Sequence, residues 1–457
     1  MLAMTLSEIA SILGKEISVE REVTSVCTDI EKVTEGCVFV ALKEQDSDGH
    51  GFVRRAVENG AVAAITEFQI GNMPCITVDN THKALFDIAR HYRKKFSPKV
   101  VGVTGSIGKT TTKEMIYLVL SSEYNTLVGE NIRNQNAVSV VNTVFDIDDK
   151  TEAAVFELGM TRFGEINRQS SVVKPTIAVI TNIGFSHIEN LGSQEGILKA
   201  KLEILNGMDT DSPIILNADD EFLSKEALDR PVITYGVENE TADVNIVNIE
   251  TNVNSSFDII YKGESYRVKL SCYGIHNIYN AAAAFTVGVT LGIAPEKVAE
   301  KLSEYEVTGL RQKVDNINGI IFVVDCDEAS PSSMKSAINA LKNMHPVGNG
   351  KRVAVLADMK GLGEVSRKLH EEIGEYVVRS GIDKLICYGH DAKFIAAKAD
   401  ELGLHSGCTS DKLMLIEYLR KKLEKDDIVL FKGSREMKLE DIIDELCREE
   451  KDNTEED

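Results

Sequence analysis

Residues 102–112 read Gly-Val-Thr-Gly-Ser-Ile-Gly-Lys-Thr-Thr-Thr and follow the hydrophobic start Lys99-Val100-Val101. A strand running through glycines into a helix can hold a phosphate. Gly105 and Gly108 allow a tight turn that points backbone N–H groups at an anion. Lys109 adds a full positive charge, and Thr110 offers a hydroxyl to a magnesium ion. A helix from Thr111 to about Leu120 places its positive dipole end at the same spot. The stretch therefore predicts binding of ATP or GTP. It is shorter than the common phosphate-loop pattern, which needs a glycine where Val103 stands.

Working outward, the chain alternates strand and helix signals on both sides of this loop. Upstream, Val38–Leu42 and Ala61–Ile65 read as strands, with a helix over Gly51–Asn59 between them. Ser97-Pro98 then breaks the chain. Downstream, Ala153–Glu157, Thr176–Asn182 and Pro213–Asn217 read as strands. So do Ile320–Asp325, Val353–Asp358, Lys384–Gly389 and Asp427–Gly433. This is an α/β pattern, with mostly parallel sheets covered by helices. The expected domains are residues 1–97, 98–312 and 313–457, in keeping with ~150 residues per domain. Ligands of such sheets sit at the carboxyl ends of the strands, which is where Glu157, Asn182 and the phosphate loop fall.

A net charge of −21 argues against general binding to nucleic acid or to anionic membranes. The eight cysteines, at 27, 37, 75, 272, 326, 387, 408 and 447, form no Cys-x-x-Cys pair. Neither a zinc ribbon nor a disulfide scaffold is indicated, and free thiols in a reducing cytoplasm are expected. Leu6–Ile17 is broken by polar residues and reads as an amphipathic helix rather than a leader. The longest apolar stretch, Ala281–Ala294, is too short to span a bilayer. A monomer is the default expectation.

Several further motifs follow the loop in order. They are Glu157-Leu-Gly-Met, Thr181-Asn-Ile-Gly-Phe-Ser-His187, Lys199-Ala-Lys201-Leu-Glu-Ile and Gly274-Ile-His-Asn277-Ile-Tyr-Asn280. Together with Thr104–Thr112 they resemble the motifs of the Mur ligases, which build the peptidoglycan stem peptide. Lys432-Gly-Ser434-Arg435 and Asp48-Gly-His50-Gly-Phe52 are similar to one branch, which adds D-alanyl-D-alanine to UDP-N-acetylmuramoyl-tripeptide. The resemblance spans nearly the whole chain. It implies a three-domain enzyme: a small α/β N-terminal domain for the UDP-sugar acceptor, a central P-loop ATPase domain, and a Rossmann-like C-terminal domain for the amine. The implied reaction is ATP-dependent amide ligation through an acyl phosphate, between a small-molecule acceptor and an amino acid or dipeptide.

The resemblance also implies site roles. ATP would be held by Gly105, Ser106, Gly108, Lys109, Thr110 and Thr111, with Asn182, Asn277 and Asn280 offering amides to adenine. Asp325 would accept from the ribose hydroxyls, and Arg311 would reach the γ-phosphate. Thr110 and Glu157 suit one magnesium ion, and His187 is placed at a second. The counterpart of Lys201 is carbamylated, which turns an ammonium into an anionic group able to hold a metal or orient the acyl phosphate. Lys199 is the alternative position. Lys109, Lys201, His187 and Arg311 are thus the expected catalytic set. Asp48, His50, Lys432, Ser434 and Arg435 are expected to meet substrates, with Lys432 and Arg435 suited to the carboxylate of an incoming dipeptide. His276 is read as structural.

Three departures separate this chain from the branch pattern. The usual Asp-x-Tyr-Asn-Ala-Asn-Pro reads Asp325-Cys-Asp327-Glu328-Ala-Ser330-Pro331. Two added carboxylates near a triphosphate repel it unless a cation lies between. The usual Thr-Asp-Ser-Arg of the uridine side reads Thr28-Asp29-Ile30-Glu31, and Glu44 replaces a glycine. The asparagine segment Asn131–Asn136 only roughly follows its pattern. Two alternatives therefore stand beside the cell-wall reaction. One is a paralogue joining another acid and amine, and the other is a non-catalytic nucleotide-binding partner.

Overall fold

A computed structural model describes residues 4–17, 20–44, 47–129, 137–251, 254–307 and 313–448. The chain forms three sheets in sequence order. The first joins β1 (Val26–Cys27), β2 (Val38–Val40), β3 (Ala63–Thr66) and β4 (Cys75–Thr77), all parallel. The second holds β5 (Lys99–Thr104), β6 (Thr126–Val128), β7 (Ala153–Glu157), β8 (Ile177–Ile180), β9 (Ile214–Asn217), β10 (Val232–Gly236), β11 (Val244–Thr251), β12 (Ser255–Tyr261) and β13 (Glu264–Leu270). Its order is β13-β12-β11-β10-β9-β8-β5-β7-β6. Pairing is parallel from β6 through β11 and antiparallel only at β11-β12-β13. The third holds β14 (Lys313–Ile317), β15 (Ile320–Asp325), β16 (Arg352–Ala357), β17 (Lys384–Tyr388), β18 (Ser406–Thr409) and β19 (Ile428–Lys432), in the order β14-β15-β19-β16-β17-β18.

The expected α/β architecture is therefore present, with differences at the edges. The third sheet has six strands where the sequence reading predicts four. The extra ones, β14 and β18, are short, polar edge strands that lack a run of apolar residues. The N-terminal helix runs only Leu6–Ile12, because the chain turns through Gly14 at φ 67°. The loop helix starts at Lys109, with Gly108 as its left-handed N-cap. Residues 281–290 of the apolar stretch lie within helix Ile275–Thr290, which is buried against helix Lys109–Leu120 and the central sheet, and the rest of the stretch leads to the next helix. Among the described residues no helix is long and apolar enough to cross a membrane. Cys27, Cys37, Cys75, Cys272, Cys326, Cys387 and Cys408 are free thiols.

The core explains why the loop is fixed. Val100, Val101 and Val103 of β5 are buried and alternate between the two faces of the central sheet, so β5 cannot shift without unpacking both layers. Its carboxyl end delivers the phosphate loop beside the ends of β7, β8 and β9. From the third sheet, the ends of β15 and β19 reach the same cavity, which Asp325 and Lys432 line together with Gly108, Glu157 and Asn217.

Candidate functional site

The loop conformation depends on its glycines. Gly105 sits at φ 154°, and a Cβ there would lie 1.8 Å from Thr181 Oγ1. Gly108 sits at φ 81°, and a Cβ there would lie 2.4 Å from Asn280 Oδ1. The end of β8 braces the turn. Thr181 Oγ1 donates to Ile107 O at 2.6 Å, Asn182 Nδ2 donates to the same oxygen at 3.0 Å, and Asn182 Oδ1 accepts from Ile107 N at 3.0 Å. Ser106 Oγ accepts from Gly184 N at 2.8 Å.

Thr110 Oγ1 donates to Glu157 Oε2 at 2.6 Å, and both side chains are buried. A hydroxyl and a carboxylate set side by side are hard oxygen donors of the kind magnesium takes while keeping several waters. Among the described residues, no group of three or more His, Cys, Asp or Glu side chains gathers as a metal cage.

Lys201 is 3% exposed, whereas Lys199 two places earlier lies at the surface, so the buried lysine is Lys201. Burial first, and then the charge of Lys109, hold its pKa well below the ordinary lysine value, against the opposing pull of Glu328 and Glu157. His187, at φ 62°, is likewise held below its ordinary pKa by burial and by Lys109.

Two cavities meet at this loop. The smaller, about 380 Å³, lies between the central and third sheets and is lined by Gly108, Thr111, Asn182, Asn280 and Asp325, among others. The larger, about 1310 Å³, touches all three sheet regions. It runs from Glu44 and His82, past Ser106, Lys109, His187 and Lys201, to Lys360, Ser434 and Arg435.

Several expected site residues stand outside the cavities or are already engaged within the protein, Asn182 through its bonds to Ile107 among them. Asn277 is buried and outside both cavities. Its Nδ2 donates to Tyr273 O at 2.9 Å, and its Oδ1 accepts from Asn280 Nδ2 at 3.2 Å. Lys432 pairs with Asp325 at 2.9 Å and also donates to Glu328 O, so it belongs to the wall of the smaller cavity. His50 and Asp48 line neither cavity. His50 Nδ1 lies 2.6 Å from Asp48 Oδ1, its Nε2 accepts from Glu67 N at 2.9 Å, and its ring stacks on Phe68. Both ring nitrogens are thus spent on holding the first domain together. Arg311 and the segment 131–136 lie outside the described residues.

The departures from the pattern gain partners. Arg435 Nη1 meets Asp327 Oδ1 at 2.9 Å, and Arg55 Nη2 meets Glu31 Oε1 at 2.9 Å. His276 lines the smaller cavity, and its Nδ1 contacts Ser336 Oγ of the third domain at 2.8 Å.

The sequence reading missed Asp219 and Asp220, which follow β9. Asp219 Oδ2 accepts from Tyr279 OH at 2.7 Å, and Asp220 Oδ2 accepts from Ile183 N at 2.8 Å. The signal was available, since Asn217-Ala-Asp-Asp follows a strand.

The comparisons agree with this geometry. Residues 103–288 match the Mur ligase middle domain, and residues 311–435 match the Mur ligase, glutamate ligase domain. A UDP-N-acetylmuramoyl-tripeptide–D-alanyl-D-alanine ligase of Bacillus subtilis is 37% identical over 92% of both chains. The chain belongs to the Mur ligase family. Among solved structures, MurF from Acinetobacter baumannii superposes with a TM-score of 0.88 at 28% identity, covering 96% of this chain and 97% of that one. MurF from Thermotoga maritima, solved in complex with ADP, superposes with a TM-score of 0.84 at 29% identity, covering 94% and 98%. The expectation of a C–N bond-forming Mur ligase with a three-domain fold is borne out.

Proposed function

We propose that this Mur ligase adds D-alanyl-D-alanine to UDP-N-acetylmuramoyl-tripeptide, using ATP and an acyl-phosphate intermediate. The observation that carries the reading is the meeting of two cavities at Lys109, Thr110 and Glu157. One cavity has the walls of a nucleotide site, and the other is large enough to bring two further substrates to its γ-phosphate end. In this reading residues 1–97 hold the acceptor, 98–312 hold ATP, and 313–457 hold the amine.

The chain's own residues then do the following. Backbone N–H groups of the loop and Lys109 hold the β- and γ-phosphates. Thr110 and Glu157 would hold magnesium, with His187 beside a second ion; the metal supplies charge neutralisation during phosphoryl transfer. Carbon dioxide reacts with a free amine, and burial, which lowers the pKa of Lys201 well below the ordinary lysine value, favours that form. The resulting carbamate would complete the anionic wall. The acceptor carboxylate attacks the γ-phosphorus and ADP leaves. The dipeptide amine then displaces phosphate from the acyl carbon. Ser434 and Arg435 face the amine side of the larger cavity.

The test is to incubate the purified protein with magnesium-ATP, UDP-N-acetylmuramoyl-tripeptide and D-alanyl-D-alanine. ADP and pentapeptide in equal amounts support the reading, and their absence refutes it. Carbamylation is read by carbon-13 NMR under labelled carbon dioxide, where a carbamate signal should be lost in Lys201→Met.

One set of observations favours a second reading, in which the same ligation serves another acid and amine. Glu31, Asp327 and Glu328 put negative charge where the branch pattern has arginine or neutral side chains. Competition between D-alanyl-D-alanine and other dipeptides separates the two.

A further inference from the structure

Three carboxylates line both cavities and so stand at the place where the phosphate, acceptor and amine must meet: Glu157, Asp327 and Glu328. Two of them are engaged. Glu157 accepts from Thr110, and Asp327 is paired with Arg435. The Glu328 carboxylate is exposed to the cavities and has no hydrogen bond or ion pair among the described residues. Its position is nonetheless fixed by its backbone. Glu328 O accepts from the buried Lys432, Asp327 before it is tied to Arg435, and Ser330 after it caps helix Pro331–Asn343. Its charge acts on Lys201 and His187, which face it from the central domain.

Amide formation has a requirement that the phosphate loop does not meet. An α-amino group has a pKa of about 8, so it arrives mostly as an ammonium at neutral pH and cannot attack until it loses a proton. Lys109 is cationic. The two neighbouring carboxylates are already bound, Glu157 to Thr110 and Asp327 to Arg435, and His187 stands beside the second ion in the reading above. We infer that Glu328 receives the ammonium of the incoming amine and takes its proton. This inference rests on the ligation proposed above. The proton passes from nitrogen to a Glu328 oxygen, and the freed lone pair forms the C–N bond. The acyl C–O bond breaks, and the departing phosphate carries away the bonding pair and the second amine proton. The site pattern of the family places an uncharged asparagine here, so this assignment is particular to this chain.

The experiment compares two nucleophiles on the unaltered enzyme and on Glu328→Gln and Glu328→Asn. D-alanyl-D-alanine needs deprotonation, whereas hydroxylamine is already neutral at pH 7 and traps the acyl phosphate as a hydroxamate. The expected result is a loss of peptide formation of about 10²-fold, with hydroxamate formation and the KM for ATP unchanged and Glu328→Asp partly active. Equal loss with both nucleophiles, or loss with neither, overturns the assignment. Absence of hydroxamate from the unaltered enzyme refutes the acyl-phosphate reading itself, and this inference with it. Thermal melting of each variant confirms that an exposed substitution leaves the fold intact.

Discussion

Asp327 and Arg435 lie 2.9 Å apart on the C-terminal wall of the larger cavity. A carboxylate that looks repulsive in the sequence therefore has its counter-charge in place. The same pairing leaves Arg435 shared between Asp327 and any substrate carboxylate.

That sharing sets the first prediction. Arg435→Ala should raise the KM for the amine about 10- to 100-fold, the worth of a charged hydrogen bond. Asp327→Asn, which leaves the guanidinium uncommitted, should lower that KM. The KM for ATP should stay constant in both. Steady-state kinetics with each substrate varied in turn checks this, and parallel movement of all the KM values contradicts it.

Gly108→Ala should cripple nucleotide binding. The new Cβ would meet Asn280 Oδ1 at 2.4 Å in a left-handed backbone, a strain of about 1–3 kcal/mol. Each 1.4 kcal/mol corresponds to about tenfold in affinity. Relief of that strain moves the loop N–H groups off the phosphate, so calorimetric titration with ADP should show a loss of about that size, and the strain itself should lower the melting temperature.

Lys201 carries a pH signature. Its folded pKa lies well below 10.5, so at any pH between the folded and the ordinary value the unfolded chain binds a proton there that the folded chain does not. Stability then rises with pH until the ordinary value of 10.5 is reached, where the difference vanishes. Lys201→Met should therefore stabilise the protein at neutral pH, with the advantage shrinking as the pH climbs toward 10.5. Ligation should fall on the order of 10²-fold or more. Urea midpoints over a pH series, without carbon dioxide, test the first claim, and a gap that ignores pH contradicts it.

At the acceptor end, Arg168 rests its guanidinium 5.7 Å from the centre of the Phe86 ring and lines the larger cavity. It has no ion pair among the described residues, which leaves it able to take a carboxylate of the acceptor peptide. Arg168→Ala should raise the KM for the acceptor about tenfold and spare those for ATP and the amine. An unchanged acceptor KM contradicts this.

Much of this site is legible in the sequence, because strand ends and glycine turns carry local signatures. The loop from Gly105 to Thr110, Glu157 at the end of β7 and Asn182 after β8 can all be read from strand-then-motif order. What eludes the sequence is how a side chain is used. Asn182 offers an amide suited to reading adenine, yet the structure spends it on Ile107. His50 looks like a substrate residue until both its nitrogens are seen bonded within the first domain. Lys199 and Lys201 differ only in burial, which the two-residue spacing does not reveal. Edge strands β14 and β18 escape notice because half-exposed strands carry no apolar run.

The central claim is that the acceptor carboxylate becomes an acyl phosphate. The most direct measurement uses acceptor labelled with oxygen-18 in its terminal carboxylate, together with ATP and D-alanyl-D-alanine. Ligation through the acyl phosphate predicts one labelled oxygen in inorganic phosphate for every amide bond formed. Pentapeptide accompanied by unlabelled phosphate would contradict it.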